Sequence, residues 1–325
     1  MQSNDWSFAS PDLEAAIDRE PLIITSDIPL NNAIALMGKV REASCEVGLD
    51  IADTPLLLSS NKFRSSCALI MEGEKLRGIL TERDIVKLTA EELDFEQVTV
   101  AEVMTQPVVT LLERNFQDIF AALFLFRRYR IRHLPVVDEA NNLIGVISPE
   151  TIRHAMRPAN LLKLRRVADV MSKNVIHAPL TTTVLNIAQL MATKRVSCII
   201  ITEVDEAENI LIPVGIITER DILQFQYLQV KLDALEAQEV MSTPLFLLNP
   251  EDSLLAANQE MQRRRVRRLV VSWNWGKGLG IITQTSMLRI FDPMEMYGVI
   301  ETLQSTVNQL EEEKAELLAL LNGKS

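Results

Sequence analysis

The decapeptide RGILTERDIV, Arg77 to Val86, returns as VGIITERDIL, Val214 to Leu223. A chain that carries nearly the same ten residues twice, 137 positions apart, is a duplication. Two weaker copies lie between and after them: IGVISPETI from Ile144 to Ile152, and LGIITQTSM from Leu279 to Met287. The glycines of the four copies, Gly78, Gly145, Gly215 and Gly280, are separated by 67, 70 and 65 residues, a period that fits four copies of one supersecondary unit. The copies also alternate. Units one and three carry Gly-x-x-Thr-x-x-Asp, with Thr81/Asp84 and Thr218/Asp221. Units two and four keep a hydroxyl at Ser148 and Thr283 but have Thr151 and Ser286 in place of the acid. The duplicated element is therefore a pair with one acidic and one non-acidic half.

Each unit reads alike. Val-Met opens units two to four (Val103-Met104, Val170-Met171, Val240-Met241), and a short apolar strand follows. Next come a helical stretch, such as NFQDIFAALFLFRRY or VLNIAQLMATKR, and a β-rich segment, HLPVVD, CIIITEV or RLVVSW. The Gly-led strand and a second helix close the unit. The order strand, helix, strand, strand, helix predicts an α/β fold. Unit one is the least regular: its opening, IDREPLIIT from Ile17 to Thr25, lacks Val-Met, and extra residues around Arg41 to Lys62 read as a surface excursion. The expected organisation is a tail over 1–10, a first pair over 11–155, a linker over 156–167, a second pair over 168–291 and a long helix over 292–325.

The net charge of −11 argues against a general nucleic-acid binder. Cys45, Cys67 and Cys198 show no C-x-x-C spacing and read as reduced thiols rather than a disulfide frame. No signal-like start and no apolar stretch of membrane-spanning length are seen, so the expectation is a cytoplasmic chain with no membrane partner. The three histidines form no H-E-x-x-H and no Cys/His metal spacing, and there is neither a P-loop nor Gly-x-Ser-x-Gly. Enzyme chemistry and a metal site are not expected.

Four regularly spaced units with Val-Met openings, a central His-Leu-Pro-Val-Val-Asp in unit two and closing Gly-x-x-Thr-x-x-Asp motifs resemble CBS domains, named for cystathionine β-synthase. The resemblance covers roughly residues 11 to 291 and is weakest in unit one. It implies tandem repeats paired through their sheets into two pseudo-twofold modules, an arrangement that resembles the γ subunit of AMP-activated kinase. It also implies an adenosyl ligand, with AMP, ADP or ATP favoured and Mg accompanying ATP, and regulation of a partner.

In the family the Asp takes both ribose hydroxyls and the Thr lies near the ribose or first phosphate, which nominates Thr81, Asp84, Thr218 and Asp221. A carboxylate suits two vicinal hydroxyl donors because it only accepts. The alternative is local: Thr as helix N-cap, with the acid completing a capping box. Arginines gather at equivalent points of units two and four, FRRYRIRHLP and QRRRVRRLVV, while units one and three have FRSSCALI and TKRVSCIII. Residues at this strand start face the cleft in the family, which nominates Arg132, His133, Arg267 and Arg268 for phosphate, with Ser66 and Ser197 at the matching points of units one and three. Arg offers phosphate a planar, bidentate fork. Arg127, Arg128, Arg263 and Arg264 read instead as a solvated helix face. The family holds adenine against the opening strand, which nominates Ile23, Ile24, Val175 and Ile176, although any buried strand would look the same.

The C-terminal stretch has a seam at Met296, Ile300, Leu303, Val307, Leu310, Lys314, Leu317 and Leu321, stepping 4, 3, 4, 3, 4, 3, 4. This heptad, with β-branched Ile300 and Val307 at a, Leu303, Leu310 and Leu317 at d, and Lys314 at a polar a position that costs stability but can fix register, favours a parallel coiled coil and a homodimer through residues 296–321. The alternative is an amphipathic helix packed on its own domain. The combined reading is a non-enzymatic sensor of an adenine nucleotide that acts on a signalling partner. Two others stand beside it: a ligand-free interaction scaffold, and the sensory part of a larger kinase or cyclase.

Overall fold

The structure, a computed structural model, describes residues 14–46, 66–115, 119–156, 162–163, 165–205, 210–274 and 277–291. The coiled-coil reading of residues 296–321 lies outside the described residues.

Among the described residues, four three-stranded sheets follow one another: β1 (Leu22–Ile24), β2 (Cys67–Glu72) and β3 (Lys75–Thr81); β4 (Leu111–Leu112), β5 (Leu134–Val137) and β6 (Leu143–Ile147); β7 (His177–Pro179), β8 (Cys198–Asp205) and β9 (Ile210–Thr218); β10 (Leu247–Leu248), β11 (Arg268–Trp273) and β12 (Gly278–Thr283). In each sheet the first strand runs parallel to the second, and the second is antiparallel to the third. A parallel step needs a crossover, and in each unit a helix supplies it: α1 (Leu30–Glu46), α3 (Ile119–Tyr129), α5 (Val184–Lys194) and α7 (Leu254–Arg263). The closing helices are α2 (Glu82–Ala90), α4 (Pro149–Met156), α6 (Glu219–Tyr227) and α8 (Gln284–Met287). The structure thus has the mixed α/β character expected of the repeat pattern.

The middle strands are apolar on both faces. Cys67 to Ile70, Leu134 to Val137 and Cys198 to Thr202 are buried at every position. Continuous burial means that each sheet is covered on two sides. One side carries the unit's own helices. The other carries a second sheet: Cys67, Leu69 and Ile79 of unit one pack on Val146 of unit two.

Neighbouring units also exchange their openings. Asp18, ahead of β1, makes a two-bond bridge of 2.9 and 2.9 Å to Val146 in β6 of unit two. Thr105, just past the Val-Met of unit two, returns to Ile79 in β3 of unit one at 2.9 and 3.1 Å. Units three and four repeat the exchange through Ser172 with Ile281 and Ser242 with Ile216.

The glycine that recurs in each unit lies under the opening of its neighbour. A Cβ at Gly78 would stand 2.8 Å from Cγ of Met104, one at Gly215 2.6 Å from Cγ of Met241, and one at Gly280 3.1 Å from the sulfur of Met171. Unit one has no Val-Met, and at Gly145 the same place is filled by the Asp18 backbone and the Ile17 side chain. The glycine and the Val-Met marker are two sides of one contact.

The helices join the two halves of the chain. Unit one meets unit three: Val86 of α2 belongs to the unit-three core, Leu223 of α6 belongs to the unit-one core, and Gln226 Nε2 donates to Thr89 Oγ1 at 3.0 Å. Unit two meets unit four in one shared apolar cluster, where buried Arg153 donates to Asn258 Oδ1 at 3.0 Å.

Candidate ligand site at the junction of four units

A cavity of about 1950 Å³ opens where the four units converge. Its wall repeats one geometric theme. The start of each middle strand contributes Ser66, Arg132 with His133, Ser197, or Arg267 with Arg268. The start of each closing helix contributes Glu82 with Arg83, Ser148 to Glu150, Glu219, or Thr283 to Ser286. The fold places these points together because each middle strand and each closing helix begin at the same end of the unit. Helix starts present unpaired N–H groups and a positive dipole end, which adds to the side-chain charge.

The lining carries nine Lys and Arg side chains against four Glu, in a chain whose net charge is −11. Its apolar lining includes Phe120, Leu123, Phe124 and Phe126 on α3, with Phe124 65% exposed. A volume above the roughly 300–1,000 Å³ usual for a small-molecule pocket leaves room for more than one ligand group. Arg130 and Arg195 end α3 and α5 in left-handed backbone, φ 55° and 54°, and both line the cavity. That conformation costs a non-glycine residue about 1 kcal/mol or more.

Two carboxylates are buried in this basic wall. Glu219 is 1% exposed and Glu82 8%. Glu219 takes Arg132 of unit two, and Arg83 of unit one at 3.3 Å. Glu82 takes Arg220 of unit three at 3.5 Å and Arg267 of unit four at 3.7 Å. The arrangement is reciprocal: each copy of Thr-Glu-Arg-Asp gives its Glu to the other copy's Arg, and each Glu receives a second Arg from the other half of the chain. Burial opposes the charge on Glu82, but Arg267, Arg220 and Arg132 outweigh it and hold its carboxyl below the ordinary range.

Arg267 links several groups of the wall. It also meets Glu150 at 3.0 Å and donates to Ser66 Oγ at 2.9 Å, and Ser66 shares a hydrogen bond of 3.2 Å with Nε2 of His133. Burial, reinforced by Arg132 and Arg267, pushes His133 down to about 3, so the ring is neutral. Arg268 donates to the Ser197 carbonyl.

Thr81 and Asp84 stand outside the cavity wall, on the side of α2 that faces the exchanged opening. Asp84 Oδ2 accepts the Thr81 backbone N–H at 2.8 Å and its hydroxyl at 2.7 Å, while Oδ1 is 3.4 Å from the Thr105 hydroxyl. Asp221 Oδ2 accepts the same two groups of Thr218 at 2.9 and 2.8 Å. Both acids thus complete capping boxes, and one oxygen of Asp84 remains directed at the opening of unit two. In units two and four Thr151 and Ser286 close the corresponding turn.

The remaining nominated residues lie apart. Ile23 is 53% exposed, Ile24 is buried, and Val175 and Ile176 are half-buried; none lines the cavity. Because the openings are exchanged, the segment beside Asp84 is that of unit two, at Thr105, and the segment bridged to the strand that leads to Asp221 is that of unit four, at Ser242. Arg263 and Arg264 pair with Glu260, and Arg264 also lies 4.3 Å over the Phe246 ring. Sequence reading missed Glu82 and Glu219. The available signal was that Glu-Arg recurs in both acidic copies and is absent from Ser148–Thr151 and Thr283–Ser286.

Among the described residues no group of three His, Cys, Asp or Glu could hold a metal ion, and no helix is long and apolar enough to cross a membrane.

The model of the CBS domain matches residues 100–158, 167–227 and 237–292, which are units two, three and four. An Arabidopsis thaliana relative, CBS domain-containing protein CBSCBSPB1, is 35% identical over 107 residues, 32% of this chain and 19% of that protein. A homoserine O-acetyltransferase of Methanococcus vannielii is 30% identical over 117 residues, 36% of this chain and 20% of that enzyme. The chain spans about a fifth of the length of the first curated relatives it matches. Protein MJ1225 of Methanocaldococcus jannaschii, described as a candidate archaeal homologue of g-AMPK, superposes with a TM-score of 0.68 at 20% identity, over 86% of this chain and 99% of that one. That likeness shows a shared fold.

Proposed function

Since the chain belongs to the CBS domain family, we propose that it is a non-enzymatic regulatory protein whose four units, unit one included, form two pairs that bind an adenine nucleotide of the AMP, ADP or ATP type. The observation that carries this reading is the basic cavity, nine cationic side chains gathered from all four units of an acidic chain. The phosphates meet the arginines at the strand starts. The ribose meets the acids of units one and three, and the exchanged openings beside them receive the base. Occupancy by one ligand touches groups from different units, so it changes the energy of their mutual arrangement, which is what regulation of a partner requires.

The test is calorimetric titration of the full chain with AMP, ADP, ATP, S-adenosylmethionine and cyclic di-AMP. A saturable signal with an adenine nucleotide, weakened tenfold or more in Asp84→Ala/Asp221→Ala, supports the reading, since each charged hydrogen bond is worth roughly 1.5–3 kcal/mol. Binding that is indifferent to both acids sinks the ribose assignment.

A scaffold reading has its own support: Arg132 and Arg267 are already paired with carboxylates. Silence across the panel would favour it. We further propose that residues 296–321 make the protein a homodimer. Sedimentation of the full chain against one ending at 291 checks this, and an unchanged mass would reject it.

A further inference from the structure

Arg132 and Arg267 are largely buried cations of the junction, with side chains 23% and 22% exposed, and each is held by a glutamate from the other half of the chain. Glu219 of unit three sits on Arg132 of unit two, and Glu82 of unit one lies 3.7 Å from Arg267 of unit four. The contacts follow one reciprocal plan, and they rest on the only acids in the repeated Thr-Glu-Arg-Asp segment that face the cavity. A carboxylate and a phosphoryl group can each offer a guanidinium a pair of negatively charged oxygens that accept its two-pronged fork.

We propose that Glu82 and Glu219 are internal competitors for the anion that the cavity receives, and that a polyphosphate entering the junction displaces them from Arg267 and Arg132. With the glutamates in place, the two halves of the chain are tied through the centre. With an anion in their place the arginines turn to the ligand, and the tie between units one and four and between units two and three is released. A ligand that binds the released arrangement better than the tied one shifts the balance between them. The inference rests on the reading that the cavity takes an anion, and needs neither the adenine nor the ribose.

The chemistry predicts an inverted mutational effect. Glu219→Gln keeps the shape and a hydrogen-bonding oxygen, but removes the competing charge. Inorganic tripolyphosphate, which has neither base nor sugar, is the probe. Calorimetry of the full chain should give a dissociation constant ten- to a hundredfold lower in Glu219→Gln than in the unaltered protein, the factor to which a charged hydrogen bond of roughly 1.5–3 kcal/mol converts. Thermal unfolding should show the variant below the unaltered protein without anion, and gaining more than it does when tripolyphosphate is added. Equal or weaker binding by the variant, or no binding by either protein, overturns the proposal. If Glu219→Gln does not fold, Glu82→Gln serves. Its arginine keeps Glu150 at 3.0 Å, so the same direction with a smaller factor is expected, and an unchanged constant overturns the proposal. Tripolyphosphate binding that tightens as predicted, together with silence towards nucleotides, would uphold this inference and sink the nucleotide reading. Nucleotide binding that neither glutamate variant strengthens would do the reverse.

Discussion

Met104 fills the space that a side chain on Gly78 would need, although the two residues open and close different units. Gly78→Ala should therefore destabilise the protein by about 1–3 kcal/mol, as overpacking does. Gly215→Ala under Met241 should behave alike, while Gly280→Ala, where the nearest sulfur is 3.1 Å away, should cost less. Denaturant unfolding orders the three. Adding Met104→Ala to Gly78→Ala should recover part of the loss, and a strictly additive double variant would mean that the two residues do not press on one another.

Arg132 and Arg83 both meet Glu219, but from different surroundings. The Arg132 side chain is 23% exposed and that of Arg83 46%. Arg132→Gln leaves a buried carboxylate short of its closest partner and should cost about 3 kcal/mol in unfolding free energy. Arg83→Gln should stay within about 1 kcal/mol, as for an exposed pair. Equal costs would show that burial does not set the strength of these contacts.

His133 supplies a pH dependence with a fixed sign. Its folded value is depressed to about 3 from 6.5, so the unfolded chain takes up a proton that the folded chain refuses. The stability this brings is fully present above pH 6.5 and is lost as pH falls from there towards 3. The slope from this one group is at most ~1.4 kcal/mol per pH unit. Between pH 5 and 6.5, above the range of most carboxylates, His133→Gln should flatten the measured stability curve. A parallel curve would mean that the ring is protonated in the folded protein.

Arg130 and Arg195 should separate stability from binding. Each occupies a left-handed position that glycine adopts without strain, so Arg130→Gly and Arg195→Gly should raise stability by up to about 1 kcal/mol. Each also removes a cation from the cavity wall, so tripolyphosphate affinity should fall. Variants that lose stability, or keep full affinity, would show that these arginines are not held in strained backbone for the anion.

The sequence made the units legible because strand and helix alternate at a fixed period and the closing glycine recurs in all four copies. It also made the basic strand starts legible, since arginines at matching points of units two and four stand out in an acidic chain. The exchange of openings was hidden: Met104 follows Gly78 by 26 residues and belongs, along the chain, to the next unit. Nothing in either stretch says which neighbour it will cover. For the same reason the opening strand at Ile23 and Ile24 does not reach Asp84, and Thr105 of the next unit stands beside that acid. Glu82 and Glu219 were hidden differently. An acid in the first turn of a helix is ordinary capping chemistry, and only the tertiary fold reveals that it faces an arginine from the other copy.

Because each opening is built into the sheet of its neighbour, the smallest portable piece of this protein is two units. A single unit cut out at Ala90 would leave behind the segment that covers its own glycine, and would carry away the segment that covers the glycine of the next. That accords with a chain whose near-identical decapeptides stand in alternate units rather than in adjacent ones.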